Sequence, residues 1–186
     1  NLATGSVKVE VSAPVFYSDG YTSVADMDRD GDLDAVVQGR KNGFNTVYCW
    51  DIQTPTVMRE RRLDNNYAEG ASRVNIADLN GDGRLEISFV SYPTLYALRN
   101  DFSVLWRSTT NDASAVTCSS VFDFCGDGSA DVIYRGESYL QIIEGATGKV
   151  KWQDNCLSAT HIENPLVLDV DNDGQTEILI ECGANG

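Results

Sequence analysis

The sequence predicts an all-β protein, a β-propeller of four-stranded antiparallel blades of which about three and a half are present. Three observations support this prediction. A nine-residue acidic loop occurs four times, short β-branched runs flank each copy, and no segment shows the apolar period of an amphipathic helix. The repeating unit is about 45 residues long, which is the length of a four-stranded propeller blade.

The acidic loops are the strongest signal in the chain. Copies one, two and four share the pattern D-x-[D/N]-x-D-G-x-x-[D/E], and the third copy has Cys125 at position 3. The first residues of the loops are 52, 45 and 46 residues apart. Chance does not produce such regular spacing, so the chain is a tandem repeat. The loops cover residues 26–34, 78–86, 123–131 and 169–177.

Short apolar runs precede and follow every acidic loop. The runs that follow are rich in Val and Ile, so they predict strands rather than helices, and each loop closes a β-hairpin. Two further strands are predicted in each of the first three repeats, with turns that contain Gly or Asn. The predicted strands cover residues 23–25, 35–37, 46–50 and 56–58, then 74–77, 87–89, 95–98 and 104–106, then 121–122, 132–134, 139–143 and 150–152, and finally 166–168 and 178–180.

The whole chain, residues 1–186, is predicted to form a single propeller domain or a partial propeller. Its repeats cover approximately residues 15–62, 70–110, 115–155 and 162–186. The last repeat ends after its second strand, and an unpaired strand edge invites association with another strand. We therefore expect the ring to be completed by the remaining blades of a longer chain or by a second half-propeller.

The charge of the chain excludes several kinds of partner. There are 28 acidic and 14 basic residues, which give a net charge of −14. This charge argues against binding to nucleic acid or to anionic lipid, and it favours cations. No apolar stretch approaches the roughly 18 residues that a membrane-spanning helix needs, so no membrane insertion is expected.

The five cysteines leave the redox compartment open. They form no C-x-x-C pair, and an odd number of cysteines cannot all pair within one chain. One or two disulfides and free buried thiols are both compatible with the pattern. The residues are Cys49, Cys118, Cys125, Cys156 and Cys182.

The acidic loops have the residue types of a calcium site. Calcium takes about six to eight oxygen ligands, and carboxylates at positions 1, 3 and 5 of a tight loop can point into one space. Glycine at position 6 permits the sharp turn, position 7 offers its backbone carbonyl, and position 9 is always acidic. An EF-hand would need Glu at position 12, which is apolar in all four copies. The candidate ligands are Asp26, Asp28, Asp30, Asp32 and Asp34; Asp78, Asn80, Asp82, Arg84 and Glu86; Asp123, Asp127, Ser129 and Asp131; and Asp169, Asp171, Asp173, Gln175 and Glu177.

Three to four calcium ions are expected. The alternative, in which Asp and Gly only form hydrogen-bonded turns, leaves several like charges within nine residues uncompensated. Four ions would change the net charge from −14 to about −6. The third loop is the weakest candidate, because the thiol of Cys125 is a poor ligand for a hard cation.

On these loops the chain resembles the FG-GAP/VCBS repeat family, the calcium-bearing propeller blades of integrin α subunits and of many bacterial surface and secreted proteins. The resemblance covers nearly all of the chain. It implies calcium ions in the loops between strands 1 and 2 of each blade, an extracellular location, either secreted or at the cell surface, and a role in adhesion or ligand binding. The Phe-Gly and Gly-Ala-Pro landmarks of integrins are missing, so the bacterial type of repeat is more similar.

A non-catalytic function is expected. The chain has a single histidine, His161, with no nucleophile motif around it, and the conspicuous acids already have a place in the loops. The segment 145–152 is similar to a turn of pyrroloquinoline-quinone propellers, but Trp106 and Trp152 hold equivalent strand positions and predict blade packing. The expected partner is a protein or glycan ligand. The alternatives are a carbohydrate-binding lectin or the propeller domain of a carbohydrate-active enzyme such as a polysaccharide lyase, because a shared fold does not define function.

Overall fold

A computed structural model describes Thr4 and residues 6–7, 21–64, 72–117, 119–158 and 163–183. This part of the chain contains β-strands, turns and irregular segments but no helix, so it has no helix that could cross a membrane. The strands are β1 (Thr22–Ala25), β2 (Asp34–Lys41), β3 (Phe44–Asp51), β4 (Thr56–Arg62), β5 (Asn75–Ala77), β6 (Glu86–Ser91), β7 (Thr94–Leu98), β8 (Val104–Thr109), β9 (Ser119–Phe122), β10 (Asp131–Arg135), β11 (Tyr139–Ile143), β12 (Val150–Asn155), β13 (Leu166–Leu168) and β14 (Glu177–Leu179).

The strands form three four-stranded antiparallel sheets and one two-stranded sheet. Each sheet pairs its strands in sequence order, so every connection is a hairpin and no strand crosses over. The two-stranded sheet consists of β13 and β14 and corresponds to the first half of a blade. The predicted all-β class, the four-stranded unit and the partial last blade are therefore confirmed. We number the sheets as blades one to four in chain order.

Apolar side chains pack between successive blades. One core lies between blades one and two, where Val36 and Val47 meet Ile87 and Phe89. A second core lies between blades two and three and includes Val132. The second strands of blades one to three are mostly buried, which explains their runs of Val and Ile without polar alternation.

A β-bulge interrupts the fourth strand of each complete blade at the same place. In β4, β8 and β12 one extra residue lies between two residues that pair with the third strand. A bulge redirects the side chain of the extra residue. The extra residues are Met58, Leu105 and Lys151, and the residues that follow them are Arg59, Trp106 and Trp152.

The cysteines show both of the predicted states. Cys156 and Cys182 form a disulfide with a Cα–Cα distance of 4.9 Å, which joins the end of β12 to the segment after β14. Cys49 is a free, buried thiol, and burial raises its pKa to about 11. Cys125 is free and exposed. Cys118 lies outside the described residues, as does His161.

The fourth blade leaves apolar side chains exposed. Leu166 and Leu168 of β13 and Leu179 of β14 are each more than two-fifths exposed. Trp152 on β12 is 46% exposed, whereas its equivalent Trp106 is 8% exposed. The described part of the fourth blade therefore covers its neighbour less completely than the third blade covers the second.

Candidate metal centres

The acidic loops lie where the sequence predicts them, between the first and second strands of each blade. They connect β1 to β2, β5 to β6, β9 to β10 and β13 to β14. Position 9 of each loop is the first residue of the second strand, so its carboxylate is anchored by the sheet, while positions 1 to 8 form the turn.

The same hydrogen bonds close all four loops. The position 1 aspartate accepts a hydrogen bond from the backbone N–H of the position 6 glycine, at 3.0, 2.6, 2.8 and 2.9 Å in loops one to four. The position 5 aspartate accepts one from the backbone N–H of position 7, at 2.9, 2.8, 2.9 and 2.7 Å. These bonds wrap the backbone around the position 1 carboxylate.

Two positions of each loop have left-handed backbone. The position 6 glycines have φ between 79° and 95°, as their presence in all four copies predicts. Position 4 is also left-handed, which the sequence analysis missed. The available signal was the presence of Gly or Asn at position 4 in three copies. The position 4 residues are Arg29 (φ 67°), Gly81 (75°), Gly126 (67°) and Asn172 (67°).

Three of the loops bring three carboxylates together. In each group, one carboxylate oxygen of every member lies within 4.8 Å of the others. Loops one and four use positions 1, 3 and 9, and loop two uses positions 1, 5 and 9, where Asn80 takes position 3. The groups are Asp26, Asp28 and Asp34; Asp78, Asp82 and Glu86; and Asp169, Asp171 and Glu177.

The remaining predicted residues have other contacts. The carboxylates of Asp30 and Asp173, at position 5, accept the position 7 N–H and are not members of the groups. The amide oxygen of Asn80 accepts the N–H of Asp82 at 2.8 Å. The side chains at position 7 point to different partners: for example, the hydroxyl of Ser129 donates to the carbonyl of Leu79 at 2.8 Å. Side chains at position 7 are therefore not part of a common ligand set.

The position 9 acids are held in place and are partly desolvated. Asp34, Glu86 and Glu177 accept the position 2 N–H at 2.8, 3.0 and 2.8 Å. Burial raises the pKa of Asp34 and of Glu86, and the neighbouring acids of each loop raise it further. A cation in the loop would relieve both effects, because it favours the charged carboxylate.

The third loop has a different arrangement at position 9. Both oxygens of Asp131 accept hydrogen bonds from Nζ of Lys151, at 2.9 and 2.8 Å. The Asp131 side chain is 5% exposed and the Lys151 side chain 37% exposed. Position 3 is the exposed thiol of Cys125. Among the described residues, Asp123, Asp127 and Asp131 do not form a carboxylate group like those of the other loops.

The donor sets fit a hard divalent cation. All the grouped side chains offer oxygen, with no imidazole or thiolate among them. Position 7 carbonyls and water would raise the ligand number towards the roughly six to eight oxygens that calcium prefers. The three groups could therefore hold a metal ion of this kind.

Comparison with known proteins identifies similar folds. No family model matches the chain, and no curated protein matches it in sequence. The exotype rhamnogalacturonan lyase YesX matches with a TM-score of 0.61 and 16% identity over 94% of this chain and 41% of the lyase. BBS1N, crystallised with ARL6DN and soaked with lead, matches with a TM-score of 0.60 and 11% identity over 93% of this chain and 52% of BBS1N.

A third solved structure, the biofilm matrix protein Bap1 of V. cholerae, has a TM-score of 0.48 and 14% identity over 81% of this chain and 25% of Bap1. The chain thus spans between a quarter and about half of the length of these three proteins. At these identities, the matches to YesX and BBS1N show a common propeller-like fold and carry no information on substrate or partner.

Proposed function

We propose that this chain is a calcium-binding β-propeller module of an extracellular protein, with a non-catalytic role in adhesion or ligand binding. The observation that carries the proposal is the convergence of three carboxylates in each of three equivalent loops. Acidic residues that lie close together repel one another unless a positive charge compensates them. These groups recur at one structural position and share one hydrogen-bonding pattern, as expected of a cation site. The resemblance of the loops to FG-GAP/VCBS repeats supports the same assignment.

The proposal assigns three calcium ions, to the first, second and fourth loops. In the third loop the ammonium group of Lys151 neutralises Asp131, so the protein supplies its own cation there. Three ions would change the net charge from −14 to −8. Most members of the groups are at least partly exposed to solvent, which fits sites of moderate affinity such as those of extracellular modules, with dissociation constants of about 10⁻⁴ to 10⁻³ M.

The disulfide supports the extracellular location. Cys156 and Cys182 are paired, and disulfides persist in oxidising compartments and are rare in the cytosol. Millimolar calcium outside cells would fill sites of this affinity. Both features fit a module that folds and works in the same environment.

Calorimetric titration of calcium into chelator-treated protein tests the proposal. We expect saturation at three ions per chain and an increase in the melting temperature with calcium concentration. Magnesium should stabilise the protein less, because it demands octahedral geometry and releases its waters reluctantly. An absence of both heat and melting shift would refute the calcium assignment.

The binding role needs a separate test. The calcium-loaded protein would be applied to glycan and extracellular-matrix arrays, with the chelated protein as the control. Calcium-dependent capture by a defined ligand, without cleavage of that ligand, is the expected result. Depolymerisation of a polysaccharide would contradict the non-catalytic role and favour the enzyme alternative.

A further inference from the structure

Three arginines line a pocket between the first and second blades. Its volume is about 270 Å³. Arg29 and Arg84 reach it from the first and second acidic loops, and Arg59 reaches it from β4. The other lining residues are Met27, Asp28 and Asn100.

Arg59 occupies a position that tryptophan fills in the next two blades. It follows the β-bulge and pairs with the third strand as Trp106 and Trp152 do. Trp106 closes the junction between blades two and three, since its indole N–H donates to the Gly145 carbonyl at 2.6 Å and its ring lies against Gly148. At the junction of blades one and two the same position carries a guanidinium, and the space beside it is open.

One nitrogen of the Arg59 guanidinium lacks an acceptor. Its Nη1 is buried and, among the residues that the structure describes, has no hydrogen-bond partner. Its neighbour Cys49 offers only a neutral thiol, since burial raises the pKa of that thiol to about 11. A buried donor without an acceptor is costly, so an oxygen ligand that reached this nitrogen would stabilise the protein.

The other two arginines leave positive charge at the mouth of the pocket. Within the described ranges, none of the three guanidiniums lies within 4.0 Å of a carboxylate oxygen. Arg29 has left-handed backbone (φ 67°), which costs a non-glycine residue free energy, and its guanidinium extends to the second loop beside Gly83. The pocket thus has an arginine at a strained backbone position, and it is a positively charged site in a chain whose net charge is −14.

We propose that this pocket binds a small oxyanion, through a carboxylate or sulfate group, with Arg59 as the buried donor and Arg29 and Arg84 at the rim. Guanidinium groups form strong, directional hydrogen bonds with such oxyanions. The three arginines outnumber the single acid, Asp28, in the wall. Among the described residues no aromatic ring lines the pocket, so charge rather than stacking would select the ligand. Calcium in the first two loops would add positive charge nearby, but the site does not depend on it.

The probes are inorganic sulfate and the matched pair glucuronate and glucose, which differ in one carboxylate. Their binding to the wild-type protein would be measured by NMR chemical shifts of the residues around the pocket, with and without calcium. We expect saturable shifts with sulfate and glucuronate and none with glucose. The sulfate arm reports on any oxyanion, and the sugar pair reports on an organic carboxylate.

The variant Arg59→Trp introduces the residue of the equivalent positions and fills the pocket, and Arg59→Met removes the charge. Both should weaken oxyanion binding at least tenfold. In the absence of ligand, Arg59→Met should melt no lower than wild type, because it removes an unpaired buried donor. Arg107→Met is the matched control, since Arg107 pairs with Asp64 on the exposed side of β8.

Three results would overturn the proposal. They are the absence of saturable shifts with either anion, an equal loss of binding in Arg107→Met, and unchanged binding in a folded Arg59→Met protein. Because the measurement is also made in chelator, failure of the calcium assignment would leave anion binding in place. Conversely, calcium binding without anion binding would refute this proposal alone.

Discussion

The first and third acidic loops share one hydrogen-bonding pattern and differ in what surrounds the position 9 carboxylate. Both close with the same bonds from position 6 to position 1 and from position 7 to position 5. In the first loop three carboxylates converge within 4.8 Å of one another. In the third, the position 9 acid binds an ammonium group of its own blade. The loop shape is therefore set by backbone hydrogen bonds, and the charge balance is set separately.

One source of the difference is Cys125 at position 3, and the other is the side chain at a bulge. Lys151 is the extra residue of β12, where Met58 and Leu105 stand in the first two blades. A bulge redirects the side chain of its extra residue. In β12 that residue is Lys151, and its ammonium group reaches the position 9 acid at the start of the second strand. The lysine at the bulge therefore occupies the position 9 carboxylate of the third loop.

The substitution Asp26→Asn, compared with Asp123→Asn, gives the largest expected contrast. Asp26→Asn should lower the calcium count from three to two and remove about 2.7 kcal/mol of stabilisation when free calcium is about 100 times the dissociation constant. For a chain of this size that is a melting shift of roughly 5–10 °C. Asp123→Asn, at the same position of the third loop, should keep the count measured by calorimetry. Equal losses in the two variants would refute the distinction between the loops.

The double substitution Cys125→Asp with Lys151→Met should convert the third loop into a calcium site. It restores the position 3 carboxylate and places the residue of the first blade at the bulge. We expect a fourth ion in the titration and a calcium-dependent increase in melting temperature somewhat smaller than one native site provides. Cys125→Asp alone serves as the control, and a fourth ion in that variant would show that Lys151 does not block the loop.

Lys151→Met alone tests the internal cation without calcium. In chelator it leaves Asp131, which is almost fully buried, without its partner, and we expect a loss of roughly 1–2 kcal/mol because the lysine is itself partly in water. Lys41→Met is the comparison, since Lys41 and Glu60 are both more than two-fifths exposed. Chemical denaturation of both variants measures the difference. A loss in Lys151→Met no greater than in Lys41→Met would contradict the role of Lys151.

Glu86→Gln gives the smallest expected effect and concerns pH. Burial raises the pKa of Glu86 above its usual value of 4.5, so the folded calcium-free protein binds this proton more tightly than the unfolded chain. The stability of the calcium-free protein should therefore fall as the pH rises from about 4.5 through the pKa that Glu86 has in the folded state. Glutamine keeps the acceptor for the Leu79 N–H and lacks this slope. Near neutral pH in calcium-free buffer, melting curves should show Glu86→Gln to be at least as stable as wild type. With calcium, the variant should be less stable than wild type. A variant less stable than wild type in calcium-free buffer would contradict this account.

Most of the fold could be predicted from the sequence because the four-fold repeat shows where each blade begins and how long it is. The loops and their spacing locate the first hairpin of each blade, and short β-branched runs such as 87–89 and 132–134 lie within β6 and β10. The bulges could not be predicted, because the extra residue is recognised only from its pairing with the third strand. The disulfide also had no sequence signal beyond the presence of cysteines.

The candidate metal residues were predictable as a set but not in their detailed roles. Positions 1 and 9 follow from the acidic pattern, and they are members of all three groups. Asp30 and Asp173 bind backbone N–H groups and are not members of the groups, whereas Asp82 does both. Lys151 is 20 residues from Asp131 in sequence, so its contact depends on the pairing of β10, β11 and β12. Nothing in the acidic loop itself encodes that partner.

The loops of neighbouring blades are also joined to one another. The amide of Asn100 donates to the carbonyls of Met27 and Leu85, at 2.8 and 3.1 Å, and so connects the first loop to the second. The backbone N–H of Ala130 donates to the carbonyl of Asp78 at 2.8 Å and connects the second loop to the third. An ion that orders one loop therefore lowers the conformational entropy left for the next ion to remove. We therefore expect the first two sites to fill cooperatively in the calorimetric titration.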